Sequence, residues 1–198
     1  MRSDEDLLER WLAGVLTTPG TSALRDPLAA RRVLLDDALR AVPLVRATAG
    51  RIVDVGSGGG SPGLPLAVAL PERSVTLLEA NRRKCEFLRR FASELPNVEV
   101  VWGRAEEQGV ATFGVALAKA LAKPPVAAEL TLPLVCEGGV ALVWCGQHVD
   151  RLAVERAATL LSAELEADED GLLVLRKHGP TPARFPRRPG MAKKRPLA

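Results

Sequence analysis

Tyrosine is absent from this chain of 198 residues, and the other aromatic residues are few: three tryptophans and four phenylalanines. The chain therefore has few rings on which successive nucleic-acid bases could stack. It also has only two histidines, and its three cysteines, Cys85, Cys136 and Cys145, lack the spacing of a metal site or a disulfide framework. Unpaired cysteines fit a reducing compartment, so we expect a cytoplasmic protein that binds no metal.

Long hydrophobic runs are missing as well. No apolar stretch approaches the roughly 20 residues that a membrane-spanning helix needs. The start of the chain, MRSDEDLLER, is acidic and polar, which is unlike a secretory signal. With 47% hydrophobic and 26% charged residues, the chain has the composition of a globular domain with a full core. We therefore expect no membrane partner.

Acidic residues are absent from the last 28 positions, 171–198. That segment carries eight basic residues, whereas the other 170 residues carry 19 basic and all 24 acidic ones. A mildly acidic body with a basic tail predicts a polyanionic partner, which lysine and arginine would bind through its phosphates.

The most informative segment is 52–63, IVDVGSGGGSPG. A short apolar strand is followed by five glycines within eight residues and then by an apolar helical run, LPLAVAL. This order is typical of the nucleotide-binding corner of an open α/β sheet, where the backbone approaches a ligand closely. The glycines exceed what one tight turn needs for positive φ angles. We expect Ser61 as the N-cap and Pro62 as the first residue of the helix.

Two acidic residues indicate which nucleotide the corner prefers. Asp54 lies two residues before the first glycine, where a carboxylate repels a pyrophosphate and attracts a cationic group such as the ammonium of a methionyl moiety. Glu79 ends the next predicted strand, where a carboxylate can accept both ribose hydroxyls. Both residues could instead cap strands in solvated loops. The pair around the glycine turn favours S-adenosylmethionine over NAD, although a literal G-x-G-x-x-G begins at Gly58 and leaves Asp54 unexplained.

Two later segments add candidate contacts. The loop 103–107, GRAEE, follows the third predicted strand and could read the adenine edge through Ala105 and Glu106, or it could begin a short helix. Lys119 ends the fourth strand, where it could meet the cofactor carboxylate or the substrate, or simply be exposed. The predicted cofactor-binding residues are Asp54, Gly56, Ser57, Gly58, Gly60, Glu79, Ala105, Glu106 and Lys119.

Strands and helices alternate along the body of the chain, which predicts an α/β fold with a mostly parallel sheet. The strands are expected at 51–55, 74–79, 98–102, 113–118 and 139–144. The helices are expected at 3–16, with Ser3 as N-cap, and at 27–42, 61–70, 82–95, 124–135 and 149–163. An antiparallel hairpin turning at Glu169, Asp170 and Gly171 closes the sheet, and His148 is expected in a loop. We divide the chain into an N-terminal helical extension (1–48), a cofactor-binding domain (49–178) and a basic C-terminal arm (179–198).

Several of these segments together resemble the RsmG (GidB) family. The resemblance rests on DVGSGGGSPGLPLAV, LLEANRRKCEFLRR, GRAEE, ELTLPLVCEGGVAL and the tail RFPRRPGMAKKRPL, and it covers roughly residue 50 to the end. It implies a Rossmann-like class I methyltransferase that uses S-adenosylmethionine to methylate N7 of a guanine in bacterial small-subunit ribosomal RNA. The chain departs from the family at Lys119, where an arginine is usual, at Cys145-Gly146, where a lysine-glycine is usual, and in the N-terminal region.

The resemblance also assigns a role to the basic tail, which would bind ribosomal RNA or the small ribosomal subunit. The predicted RNA-binding residues are Arg184, Arg187, Arg188, Lys193, Lys194 and Arg195. Phe185 within the tail could stack on a base, but it is expected to pin the tail onto the body.

Guanine N7 carries a lone pair and no proton, so methyl transfer to it needs orientation of the reactants and no general base. No catalytic residue is assigned, with Lys119 as a candidate, and we expect a monomer. Two other functions stay open: a methyltransferase acting on a small molecule or a protein, and a non-enzymatic RNA-binding protein.

Overall fold

The fold is described from a computed structural model. It describes residues 4–146 and 149–198. The predicted N-cap Ser3 and the predicted loop residue His148 lie outside these residues.

The described part of the chain contains seven strands: β1 (Ile52–Val55), β2 (Val75–Glu79), β3 (Val98–Trp102), β4 (Phe113–Lys119), β5 (Val135–Trp144), β6 (Ala163–Glu169) and β7 (Leu172–Lys177). They form one sheet with the order β3-β2-β1-β4-β5-β7-β6. Strands β1 to β5 run parallel, and β7 pairs antiparallel with both β5 and β6. This mostly parallel sheet with an antiparallel end confirms the predicted fold class.

The helices flank the sheet on both faces. They are α1 (Asp4–Thr17), α2 (Pro27–Ala30), α3 (Asp37–Leu39), α4 (Val42–Arg46), α5 (Gly63–Ala69), α6 (Arg82–Ala92), α7 (Pro124–Thr131), α8 (Arg151–Thr159) and α9 (Met191–Lys194). A π-helical segment, Arg31–Asp36, joins α2 to α3, and 3₁₀ turns occupy Ala105–Glu107 and Leu132–Leu134. None of the helices in the described residues is long and apolar enough to cross a membrane.

Alternation along the strands divides the core into two layers. In β1, Ile52 packs with α1, α5 and α6 on one face, while Val53 and Val55 pack with α7 and α8 on the other. All four β1 residues are buried, because helices cover both faces of a parallel sheet. The N-terminal helices therefore share a core with the sheet.

Two local predictions were wrong. The helix after the glycines begins at Gly63, and the Ser61 hydroxyl does not cap it but donates to the Leu34 carbonyl at 2.7 Å. Strand β5 begins at Val135 instead of residue 139, because Val135 already pairs with Phe113 of β4. An irregularity that contains Gly138, with φ +80°, separates this pair from the regular register that starts at Val115 and Val140. In both places a contact distant in sequence overrides a local signal.

Candidate functional site

The candidate site lies at the carboxyl end of β1, where the strand order reverses between β2 and β4. Such a switch point is where ligands bind in open α/β sheets. The glycine turn follows directly, and Gly56, Gly58 and Gly60 have φ of +70°, +57° and +106°. A Cβ on Gly56 would lie 2.5 Å from Leu121 Cδ1. The turn therefore needs glycine both for its conformation and for its close packing.

Glu79 ties the end of β2 to this turn. Its carboxylate accepts hydrogen bonds from the Gly58 amide at 2.9 Å and from the Asn81 amide at 2.7 Å. The residue is 8% exposed, yet it lines a cavity. Because a carboxylate has about four acceptor positions, two backbone bonds leave capacity for a ligand's hydroxyl groups.

Asp54 lies behind the turn and is 1% exposed. Its carboxylate accepts a hydrogen bond from the Gly63 amide at 3.0 Å. This bond gives a partner to one of the backbone N–H groups that are left without one at the start of α5. Burial raises the pKa of Asp54 to about 7, against the lowering effect of hydrogen bonds from Gly63 and Ser57. Asp54 lines neither of the two cavities described next, so its predicted contact with the cofactor stays a prediction.

Two cavities meet over the glycine turn. The Glu79 cavity, of about 280 Å³, is lined by Gly56, Glu79, Ala105 and Glu106 among others. The Trp11 cavity, of about 350 Å³, is lined by residues that include Trp11, Ser57, Gly58 and Lys119. Among the residues that the structure describes, Gly56, Lys84 and Ala120 line both cavities. The shared wall means that one elongated ligand could occupy both cavities across Gly56.

Most of the predicted cofactor residues therefore meet at these cavities, while Asp54 and Gly60 support them from behind. A Cβ on Gly60 would lie 2.6 Å from Leu64 Cδ1 and 3.0 Å from Trp11 Nε1. The Trp11 indole donates to the Gly59 carbonyl at 2.6 Å. In the sequence, Trp11 is one of several apolar residues of α1, and that pattern does not show which group its indole N–H contacts.

Lys119 lies where the Trp11 cavity adjoins a third cavity, of about 360 Å³, lined also by Asp37, Trp144 and Cys145. Its ammonium forms an ion pair with Asp37 and lies 5.5 Å from the centre of the Trp144 ring. Arg40 binds the other Asp37 oxygen at 3.1 Å. Burial lowers the pKa of Lys119, while Asp37 opposes that shift. The N-terminal helices thus supply the counter-ion of a strand-end lysine.

Replacing Asp37 by asparagine is expected to lower the free energy of unfolding by about 1–3 kcal/mol, because the Lys119 ammonium would lose its charged acceptor in a largely buried place. The Lys119 side chain is 11% exposed. Urea unfolding of Asp37→Asn measures the effect. Asp36→Asn, at the exposed neighbouring position, is the control and should change stability by less than about 0.5 kcal/mol. Equal stability of the two variants would contradict a stabilising Asp37–Lys119 pair.

The C-terminal arm folds back onto the body. Phe185 is 5% exposed and belongs to the core layer beneath α7, as predicted for a residue that pins the tail. Arg187 forms two hydrogen bonds of 2.5 Å to the buried carboxylate of Glu129 in α7. Arg187 was predicted to contact RNA, and in the structure it anchors the arm to α7. The other predicted RNA-binding residues are exposed: Arg184, Arg188, Lys193, Lys194 and Arg195.

Sequence reasoning missed one wall of the Glu79 cavity. Gly190, Ala192 and Lys193 of the arm line it, and the Gly190 amide donates to Glu106 Oε1 at 2.9 Å. Gly190 lies 84 residues after Glu106 in the chain. The only local signal was the glycine in the proline-punctuated tail, and a lone glycine does not indicate a partner.

Comparison with known sequences shows what the chain is similar to. Residues 21–169 match the family model described as rRNA small subunit methyltransferase G. A ribosomal RNA small subunit methyltransferase G of Rubrobacter xylanophilus is 39% identical in an alignment that covers 90% of this chain and 74% of that protein. One from Synechococcus elongatus is 38% identical over 167 residues, covering 75% and 69%.

Solved structures with a similar fold are also methyltransferases by name. A geranyl diphosphate methyltransferase in complex with S-adenosylmethionine aligns with a TM-score of 0.56 at 17% identity, covering 78% of this chain and 76% of that one. A chain from Methanococcus maripaludis, described as of the S-adenosyl-L-methionine-dependent methyltransferase type, aligns with a TM-score of 0.55 at 11% identity, covering 91% and 95%. At these identities the likeness is one of fold.

Proposed function

This chain belongs to the rRNA small subunit methyltransferase G family, and on that premise we propose that it transfers a methyl group from S-adenosylmethionine to small-subunit ribosomal RNA. We propose N7 of a guanine as the acceptor. The observation that carries the proposal is the family match over 21–169, which includes the glycine turn, Glu79 and Lys119. RNA methylation takes precedence over the small-molecule and non-enzymatic alternatives because the matching family model and the similar relatives are named for methylation of ribosomal RNA.

The residues present fit the cofactor. Gly56, with positive φ, lines both cavities, Gly58 lines the Trp11 cavity, and Glu79 offers free acceptor positions beside them. We propose that Glu79 holds the ribose hydroxyls, that Ala105 and Glu106 lie along the adenine, and that Gly56, Ser57 and Gly58 lie along the methionyl part. We propose that Asp54 keeps the turn in place through Gly63 and that, at pH values above its pKa of about 7, it adds a negative charge behind the turn.

The chemistry requires placement of the acceptor. The cofactor supplies an electrophilic methyl group on a cationic sulfur, and guanine N7 offers a lone pair without a proton to remove. The protein therefore has to bring acceptor and methyl into line and to exclude water, a contribution that reaches about 7–11 kcal/mol in favourable cases. We propose that Lys119, whose ammonium pairs with Asp37 and lies over the Trp144 ring, orients the substrate beside the cofactor.

Recognition of RNA is assigned to the exposed cations of the arm. Arg184, Arg188, Lys193, Lys194 and Arg195 are exposed along it, and phosphate contacts of this kind depend on salt and little on sequence. The target base has to leave its stack to reach a buried methyl donor, which costs a few kcal/mol. We further propose that the protein acts as a monomer in the cytoplasm and needs no metal for this step.

The test is methyl transfer from labelled S-adenosylmethionine to small ribosomal subunits that lack the modification, with the modified base identified by mass spectrometry. A second measurement, by calorimetry, tests the cofactor site. Glu79→Gln should bind the cofactor about 10- to 100-fold more weakly, since a hydrogen bond to a charged acceptor is worth about 1.5–3 kcal/mol. Glu99→Gln on the neighbouring strand is the control, because Glu99 is exposed and lines neither cavity.

The outcomes separate the candidate functions. Methyl incorporation into guanine N7 of the ribosomal RNA supports the proposal. Cofactor binding without transfer to any RNA would favour a small-molecule or protein substrate, and absence of cofactor binding in the wild-type protein would favour a non-enzymatic role. If Glu79→Gln binds the cofactor with wild-type affinity, Glu79 does not contact the cofactor.

A further inference from the structure

The basic C-terminal arm forms part of the Glu79 cavity. The arm contributes Gly190, Ala192 and Lys193 to the lining of the cavity. Its Gly190 amide donates to Glu106, which is itself a proposed contact for the adenine. The arm is therefore in contact with the cofactor site and does not simply extend from the body as an RNA-binding tail.

Buried residues along the arm hold it against the Glu79 cavity. Ala192 is 2% exposed and Phe185 5%, and both belong to the core layer shared with α7. Leu197 packs against the same layer. Between them, Arg187 bridges the Glu129 carboxylate and, at 2.8 Å, the backbone carbonyl of Arg195. The position of Gly190 and Lys193 at the cavity is thus set by anchors on either side.

The same short segment also presents charge outward. Lys193 lines the cavity and is exposed, and Lys194 and Arg195 follow it on the surface. Phosphates bound to these side chains would hold in place the backbone segment that lines the cavity. Ligands that favour the same docked position of the arm must each increase the affinity of the other, because such coupling is reciprocal.

We infer that the C-terminal arm is a wall of the cofactor site, so that the docked arm couples retention of S-adenosylmethionine to binding of RNA phosphates. This inference rests on the proposed function, because it takes S-adenosylmethionine as the occupant of the Glu79 cavity. It adds Gly190 and Lys193 to the cofactor-binding segment.

Two matched substitutions test the wall. Ala192→Asp puts a carboxylate where the arm is buried and keeps every cation, whereas Ala183→Asp makes the same change at an exposed position of the same arm. Calorimetry with S-adenosylhomocysteine, without RNA, should show affinity about tenfold or more weaker in Ala192→Asp, a change worth about 1.4 kcal/mol. Ala183→Asp should bind as the wild type does. Equal affinity in all three proteins would overturn the inference.

The coupling is measured on the same proteins. Deproteinised small-subunit ribosomal RNA should raise the affinity of the wild type for S-adenosylhomocysteine by about fivefold or more, within the usual range of coupling between sites. Ala192→Asp should show no such gain, while Ala183→Asp keeps it. An equal gain in Ala192→Asp would show that RNA acts on the cofactor without the docked arm, against the inference.

A measurement on the wild-type protein alone covers the case in which Ala192→Asp does not fold. Trypsin cleaves after Lys193 and Lys194, and saturating S-adenosylhomocysteine should slow cleavage there severalfold more than cleavage after the exposed Arg90 of α6. Unchanged cleavage after Lys193 would overturn the inference. If the wild type binds no cofactor at all, it is the proposed function that fails.

Discussion

Replacing Arg187 by methionine is expected to lower the free energy of unfolding by about 3 kcal/mol, the lower end of the range for breaking a buried ion pair. The reason is Glu129, whose side chain is 3% exposed and would lose its guanidinium partner. The lower end applies because Arg187 itself is 22% exposed and solvent screens part of the pair. Urea unfolding, followed by circular dichroism, measures the loss.

Two further proteins show whether the loss comes from the orphaned carboxylate. Arg188→Met, at the exposed neighbouring position, should change stability by less than about 0.5 kcal/mol. The double variant Arg187→Met with Glu129→Met should recover most of the loss, since apolar pairs often replace buried ion pairs without cost. A single variant as stable as the wild type, or a double variant less stable than the single one, would contradict this account.

Replacing Asp54 by asparagine is expected to stabilise the protein at pH 8 while weakening its hold on the cofactor. A tenfold change in proton affinity corresponds to about 1.4 kcal/mol, so a pKa raised from 3.8 to about 7 amounts to at most about 4 kcal/mol. Asparagine can still accept from the Gly63 amide but carries no charge that has to be buried.

The direction with pH follows from which state holds the proton. Between pH 3.8 and about 7 the folded protein keeps Asp54 protonated while the unfolded chain has released its proton. This contribution to stability is fully present below pH 3.8 and is lost as the pH rises to about 7. The wild type should therefore lose stability over that window relative to Asp54→Asn, and the two should converge near pH 4.

The control for this comparison is Asp36→Asn, which removes an exposed carboxylate and should keep the pH dependence of the wild type. Urea unfolding at pH 4, 6 and 8 measures all three proteins, and calorimetry at pH 8 measures their cofactor affinity. Parallel pH profiles for wild type and Asp54→Asn would show that Asp54 is not the buried titrating group. Unchanged cofactor affinity in Asp54→Asn would show that Asp54 does not contribute to cofactor binding.

Local patterns predicted the elements that depend on local causes. The burial of β1 and β2, the glycine turn between β1 and α5, and the antiparallel hairpin turning at Gly171 all follow from residues close together in the chain. Periodicity of two or 3.6 residues and the need for glycine at positive φ act over a few positions. For the same reason Glu79 could be placed beside the turn, since parallel strands end at one edge of the sheet.

Partners that are distant in the chain could not be predicted in this way. Asp37 neutralises Lys119 across 82 residues, and Gly190 reaches Glu106 across 84. Arg187 appeared in the sequence as one of six similar cations in the tail, and only the position of α7 distinguishes it as an anchor. A basic residue in a sequence shows its charge but not the carboxylate that it meets.

By itself, then, the sequence determined an α/β protein with a glycine turn, an acidic residue at the end of its second strand and a basic end. Short-range sterics and hydrophobic periodicity dictate the strands, the helices and the turn, and the charges can be read directly from the residues. Only the tertiary structure decided that Asp54 is buried behind the turn, that Lys119 has a counter-ion, and that the arm closes the Glu79 cavity. Each of these depends on packing of segments far apart in the chain, where burial changes what a charged side chain does.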